Sequence, residues 1–319
     1  MRNVMGSAIL VMGLLGAGAS QAAGPPLKII VGFPPGGSMD AMVRVLEPSL
    51  SKSLDRPIIV ETRTGAGGQI ATVAVKNAAP DGNTILAVLD HIGVILPLIM
   101  KDPGYDPVKD FEPLGLVVSV PSALAVNPST GVRNLRDFDA WLKKNKDNVS
   151  YGIPAVGSTP QFTGYIVARR SGVKMTPIPY RGAAPLAVDL AGGQILVGTG
   201  GLSDLLPLHK DGKLRIIATN GTTRVPAVPE VETYRENGFT ELDVRTWYGF
   251  FAPKGTPAAF VNGFAAALKS AMDDPAIQKR MVEIGLDPAY GGPADMATAL
   301  VKGRDTWKPV IEESGYEKQ

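Results

Sequence analysis

Lys28-Ile29-Ile30-Val31-Gly32-Phe33-Pro34-Pro35-Gly36-Gly37-Ser38-Met39-Asp40 decides the fold. A short β-branched run breaks at a proline- and glycine-rich turn, after which residues 41–54 carry apolar side chains at helical spacing. Pro48 should kink or end that helix, because proline supplies no amide to the hydrogen-bond ladder. Gly36 and Gly37 let the backbone come close to a guest. The first-turn amides of a helix have no internal partner and its dipole favours negative charge there, so the unit suits a carboxylate; it also reads as an ordinary tight turn.

Further strands are expected at residues 28–31, 57–61, 85–89, 114–118, 122–126, 149–153, 176–179, 195–197, 214–218 and 248–252, with helical patterns between most of them, including 134–146 and 257–272. This alternation predicts an α/β protein with mainly parallel, doubly wound sheets. Two extended crossings, 117–128 and 242–253, predict two lobes joined by a two-strand hinge. Lobe 1 is then discontinuous, residues 23–123 and 246–319, and lobe 2 is residues 124–245. The turn Ala155-Val156-Gly157-Ser158-Thr159-Pro160-Gln161 repeats the first arrangement in lobe 2. Ligands of open α/β sheets lie beyond the carboxyl ends of the strands, so the two loops are placed to close on one small molecule.

Residues 1–22 read as a cleavable secretory signal peptide: Arg2, an apolar run too short to span a bilayer, then small residues up to Ala23. The chain has no cysteine, which excludes disulfides, thiolate metal sites and a lipid-acylated anchor, and its two histidines, His91 and His209, exclude a His-rich metal centre. The mature protein is therefore expected to be free in the periplasm and monomeric, with no cofactor. With 45% hydrophobic and 19% charged residues in 319, it has the composition of a globular protein of about two domains. Its 32 basic and 30 acidic residues are interspersed, so no basic face for nucleic acid is expected.

Taken in order, several stretches resemble the extracytoplasmic solute receptors of tripartite tricarboxylate transporters, the Bug or TctC family. They are residues 30–40, Thr64-Gly65-Ala66-Gly67-Gly68, residues 79–84, residues 105–111, Pro179-Tyr180-Arg181-Gly182-Ala183-Ala184-Pro185, residues 211–215 and residues 251–257. The resemblance implies a two-lobed periplasmic-binding-protein fold that closes on a small carboxylate and delivers it to membrane transporter subunits without a chemical step. It points to Phe33, Gly36, Gly37, Ser38 and Asp40 in one loop and Gly157, Ser158, Thr159 and Gln161 in the other.

Gly198-Thr199-Gly200-Gly201 stands where many relatives carry Asp and other polar groups. Loss of an ammonium acceptor there implies a larger ligand without an amino group, and dicarboxylates, including aromatic ones, fit best. Leu89, Asp90, His91 and Ile92 at a strand end, Arg181, and Trp247-Tyr248 at the hinge crossing are candidates for the far end of the ligand, Arg181 through a second carboxylate and the aromatic side chains by clasping a ring, with Gly200 a further pocket residue. Asp40 reads more readily as a helix cap than as a ligand contact, and His91 equally well as a structural residue. The enzyme alternative is Gly65-Ala66-Gly67-Gly68-Gln69-Ile70 with Asp90 about 20 residues on, which imitates an NAD fingerprint but has Ile70 where the third glycine belongs.

Overall fold

The computed structural model describes residues 24–146, 149–243 and 245–318. The leader expected over residues 1–22 lies outside them. β1 (Leu27–Val31) leads into α1 (Ser38–Ser53), followed by β2 (Ile58–Thr62), α2 (Gln69–Lys76) and β3 (Thr84–Leu89). A π-helical turn, His91–Ile95, joins β3 to the short α3 (Leu96–Ile99), and β4 (Phe111–Val120) then carries the chain out of this lobe. The second lobe holds β5 (Ser122–Val126), α4 (Leu135–Lys144), β6 (Val149–Ile153), α5 (Thr159–Ser171), β7 (Met175–Pro179), α6 (Ala183–Ala191), β8 (Val197–Gly201), α7 (Leu202–Lys210) and β9 (Arg215–Thr219). The chain returns through residues 220–245 to β10 (Thr246–Pro253), α8 (Ala258–Met272), α9 (Pro275–Glu283), β11 (Asp287–Gly291) and α10 (Pro293–Glu313).

The strands form one sheet of order β11-β4-β10-β3-β1-β2 and another of order β7-β6-β8-β5-β9. Both are mixed rather than mainly parallel. The strands that follow each other through βα crossovers are parallel, whereas the strands that carry the chain between lobes, β4, β5 and β10, pair antiparallel with their neighbours. Each sheet buries an apolar core on both faces. In the first lobe α1 and α8 cover one face and α2 and α10 the other; in the second, α4 and α5 lie opposite α6 and α7.

Pro121 is the only residue between β4 and β5, and Thr246 on the return pairs with Val120, so both crossings lie side by side. Ser122 and Asn220 tie them further: the Ser122 amide donates to Asn220 Oδ1 at 2.7 Å and the Asn220 amide to the Ser122 carbonyl at 3.0 Å. At the far end of α10 the Tyr165 hydroxyl of the second lobe donates to the Glu313 carbonyl at 3.1 Å.

Two local expectations fail for identifiable reasons. Pro48 neither ends nor breaks α1, because Pro48 and Arg44, whose carbonyl loses its partner, both face solvent while Met42, Val43, Leu46 and Leu50 anchor the helix. Residues 198–201, expected as a loop after a strand at 195–197, are β8 itself, between β6 and β5. A Cβ at Gly198 would lie 3.0 Å from Leu186 and one at Gly152 on β6 would lie 3.1 Å from the same side chain. These glycines admit α6 to the sheet. They do not enlarge the ligand space.

Candidate functional site

The N-termini of α1 and α5 face each other across the cleft between the lobes. Neither helix start carries a side-chain cap: Gly37 has none to offer, and the Ser158 hydroxyl, although at the cap position of α5, makes no such bond. At α1 the Ser38 amide is taken by Asp204 of the second lobe, and at α5 Pro160 has no amide and the Gln161 amide turns back to the Ser158 carbonyl at 2.8 Å, so among the described residues of that turn the Thr159 amide and the Ser158 hydroxyl stay open. Between the two helix starts lies a chamber of ≈ 90 Å³ lined by Phe33, Pro34, Gly37, Ser38 and Met39 from the first loop, Leu89, Asp90 and His91 from the end of β3, and Ser158 and Thr159 from the second loop. Pro121, Thr246 and Tyr248 close it on the hinge side, and Gly201 and Asp204 on the second-lobe side.

Beyond Phe33, Pro34, Pro154, Ala155 and Gly182, which border both spaces, the chamber continues into a wider groove of ≈ 770 Å³. Arg181 lines that groove together with Thr64, Gly65 and Ala66. Arg181 thus belongs to the mouth of the cleft, and among the described residues no lysine or arginine lines the chamber.

The lobes are in contact. The Ser38 amide donates to Asp204 Oδ1 at 2.9 Å and the Ser38 hydroxyl to Oδ2 at 3.1 Å. The Thr159 hydroxyl donates to Asp90 Oδ2 at 3.0 Å. Ser38 Oγ also lies 2.8 Å from the Tyr248 hydroxyl. Gly157 packs on α3, where a Cβ would come within 1.9 Å of Ile99 Cδ1, and Gly182 packs on Pro34. Burial drives the Asp90 carboxyl up to about 7 against the hydrogen bonds from Thr159, the His91 amide and Thr246 that favour its charged form. Burial likewise lifts Asp204 to about 6 despite the two bonds from Ser38. His91 is fully buried against Gly67, and burial pulls it down to about 4 against a hydrogen bond to the Gly157 backbone, so its ring is neutral.

Several residues singled out in the sequence stand outside the chamber. Asp40 accepts the Gly36 amide at 3.0 Å and Arg44 Nε at 2.9 Å, which makes it part of the helix start, with Gly36 the turn residue at φ 82°. Gln161 turns back to accept the Gly157 amide, stiffening its own loop. Trp247 points away, because alternate residues of a strand face opposite sides: Thr246 and Tyr248 reach the chamber, and Trp247 packs over Gly93. Gly200 is directed towards Leu205 in the same way, leaving Gly201 as the lining residue.

Asp204 was not anticipated. It lies in the first turn of α7, which begins directly after Gly201, so its carboxylate points back towards the strand end. An acidic residue three positions after a glycine-terminated strand was the available signal. Its presence corrects the expectation that glycines at 198–201 leave the site without an acceptor for ammonium. The NAD reading fails on topology: β1 lies between β2 and β3, so Asp90 is not on the strand next to the glycine loop, and its carboxylate is engaged by Thr159 instead.

The model of the tripartite tricarboxylate transporter family receptor matches residues 42–316. The chain belongs to this family. It is 31% identical over 304 residues to a UPF0065 protein of Bordetella bronchiseptica, covering 95% of this chain and 90% of that one. The structure of the periplasmic binding protein BugD superposes with a TM-score of 0.87 at 31% identity, over 93% of this chain and 99% of that one. The R. palustris protein Rpa4515, solved with adipate, gives 0.89 at 27% identity over 92% and 98%. The chain is thus a two-lobed solute-binding receptor of a carboxylate transport system, not an enzyme.

Proposed function

We propose that this periplasmic receptor binds a dicarboxylate in the cleft and hands it unchanged to the membrane subunits of a tripartite tricarboxylate transporter. The observation that supports this reading is the division of the cleft: an inner chamber between two helix N-termini, of which that of α5 has no side-chain cap, continuous with a groove lined by Arg181. One carboxylate is held inside by the Ser158 hydroxyl and the Thr159 amide at the start of α5. The other reaches past Phe33 and Pro34 to Arg181, whose planar fork matches it in two parallel bonds. Phe33, Leu89, Pro121 and Pro154 offer apolar walls to an aliphatic chain or an aromatic ring between the two.

The two lobes close when both loops meet the ligand, and the closed form is what the transporter reads. A single copy of the chain suffices. A ligand bound only by the folded protein adds RT ln(1 + [L]/Kd) to its stability, about 2.7 kcal/mol at one hundred times Kd. A thermal-shift screen of aliphatic and aromatic mono- and dicarboxylates tests the reading: a dicarboxylate gives the largest shift, and a shift confined to monocarboxylates rejects it.

A further inference from the structure

Among the described residues, Asp90 and Asp204 are the acidic side chains that line the chamber, and no lysine or arginine lines it with them. A buried carboxylate without a cation is costly, so two in one small space require a reason. We propose that Asp204 is a specificity-determining residue, which makes the receptor select a ligand carrying a hydrogen-bond donor, ammonium or hydroxyl, on the carbon next to its inner carboxylate. The proposal rests on the dicarboxylate reading and deepens it.

Asp204 spends both oxygens on Ser38 and so occupies the N-terminus of α1 with a carboxylate from the protein itself. The Ser38 amide at the start of α1 is thereby taken, whereas at the start of α5 the Thr159 amide stays open to a ligand carboxylate. The buried Ser158 hydroxyl there has no partner. A carboxylate seated at α5 places its adjacent carbon towards the acidic wall. Asp204 keeps lone pairs beyond those Ser38 uses, and Asp90 Oδ1, buried in the same wall, has no partner at all. An unsubstituted methylene set against that wall leaves these acceptors unsatisfied, whereas an ammonium or hydroxyl answers them.

Two further details fit this arrangement. A Cβ at Gly201 would lie 2.8 Å from Asp204 Oδ2, so the glycine gives the carboxylate its room. The Tyr248 hydroxyl braces Ser38 from the other side at 2.8 Å, fixing the serine that orients Asp204.

The test is calorimetric titration of the wild-type protein with matched sets of four to six carbons: succinate, malate and aspartate; glutarate, 2-hydroxyglutarate and glutamate; adipate, 2-hydroxyadipate and 2-aminoadipate. At the chain length that binds, the donor-bearing acid should bind at least about tenfold more tightly than its parent, as expected when a hydrogen bond to a charged group is gained. Comparing the amino with the hydroxy acid tells which donor is used. In Asp204→Asn, which keeps the shape, and Asp204→Ala, which removes the acceptor, the ratio of donor-bearing to parent affinity should fall to about one, a readout independent of the overall affinity lost with the bonds to Ser38. Preference of the wild type for the parent, or a donor preference that survives both substitutions, overturns the proposal and leaves Asp204 a clasp between lobes. If no dicarboxylate of any set binds while other solutes do, the dicarboxylate reading fails and takes this proposal with it.

Discussion

Thr159, the first residue of α5 in the second lobe, donates its hydroxyl to Asp90 at the end of β3 in the first lobe, 3.0 Å away across a closed cleft. The bond joins the lobes, and it places a buried carboxylate where pH can act on closure. Asp90 is raised to about 7 and Asp204 to about 6, both from 3.8 and both mainly by burial. Between pH 4 and 7 these two carboxyls hold protons that the unfolded chain has released, which outweighs the one proton that burial denies His91, lowered from 6.5 to about 4, so stability falls as pH rises through this window. Ligand-free protein should melt at a higher temperature at pH 5 than at pH 8. Asp90→Asn should flatten that dependence and raise the melting temperature at pH 8; an unchanged profile in differential scanning calorimetry would count against a buried acidic wall.

Ser158 allows a separation of folding from binding. Its hydroxyl is buried without a partner, so Ser158→Ala should leave the melting temperature of the free protein unchanged or slightly higher. Binding should weaken about tenfold, the loss of one hydrogen bond to a charged group. Equal loss of stability and affinity in the variant would place the hydroxyl in the scaffold rather than the site.

Gly157 reports on closure. It holds φ 68°, and a side chain there would run into Ile99 of the opposite lobe. Gly157→Val should hold the lobes apart, which solution X-ray scattering would register as a larger radius of gyration in the presence of ligand, with affinity reduced at least about tenfold. A variant that still contracts on adding ligand would show that this contact does not gate closure.

Arg181 should matter for one end of the ligand only. Arg181→Gln is expected to weaken a dicarboxylate about tenfold or more and to leave a monocarboxylate of the same length unaffected, as loss of a two-bond ion pair at a half-open mouth predicts. Equal effects on both would remove the groove from the binding site.

The βα units, the two crossings and the paired loops were legible because they rest on local features: β-branched runs, glycine turns and helical periodicity. β8 was not, since Val197-Gly198-Thr199-Gly200-Gly201 has poor strand propensity and is held as a strand by neighbours on both sides. The choice between Trp247 and Tyr248 depended on register, and a one-residue difference reverses the face. Asp204 depended on where α7 begins relative to β8, which only the folded sheet determines. Loops were readable from sequence, and the inward direction of single side chains was not.

The most direct test of the central claim is equilibrium titration of the purified mature protein with a dicarboxylate series, each member set against the monocarboxylate of equal length. One-to-one binding with the dicarboxylate favoured at least about tenfold, and the ligand recovered intact, is the predicted result. Absence of binding by every dicarboxylate, or recovery of a chemically altered ligand, would contradict it.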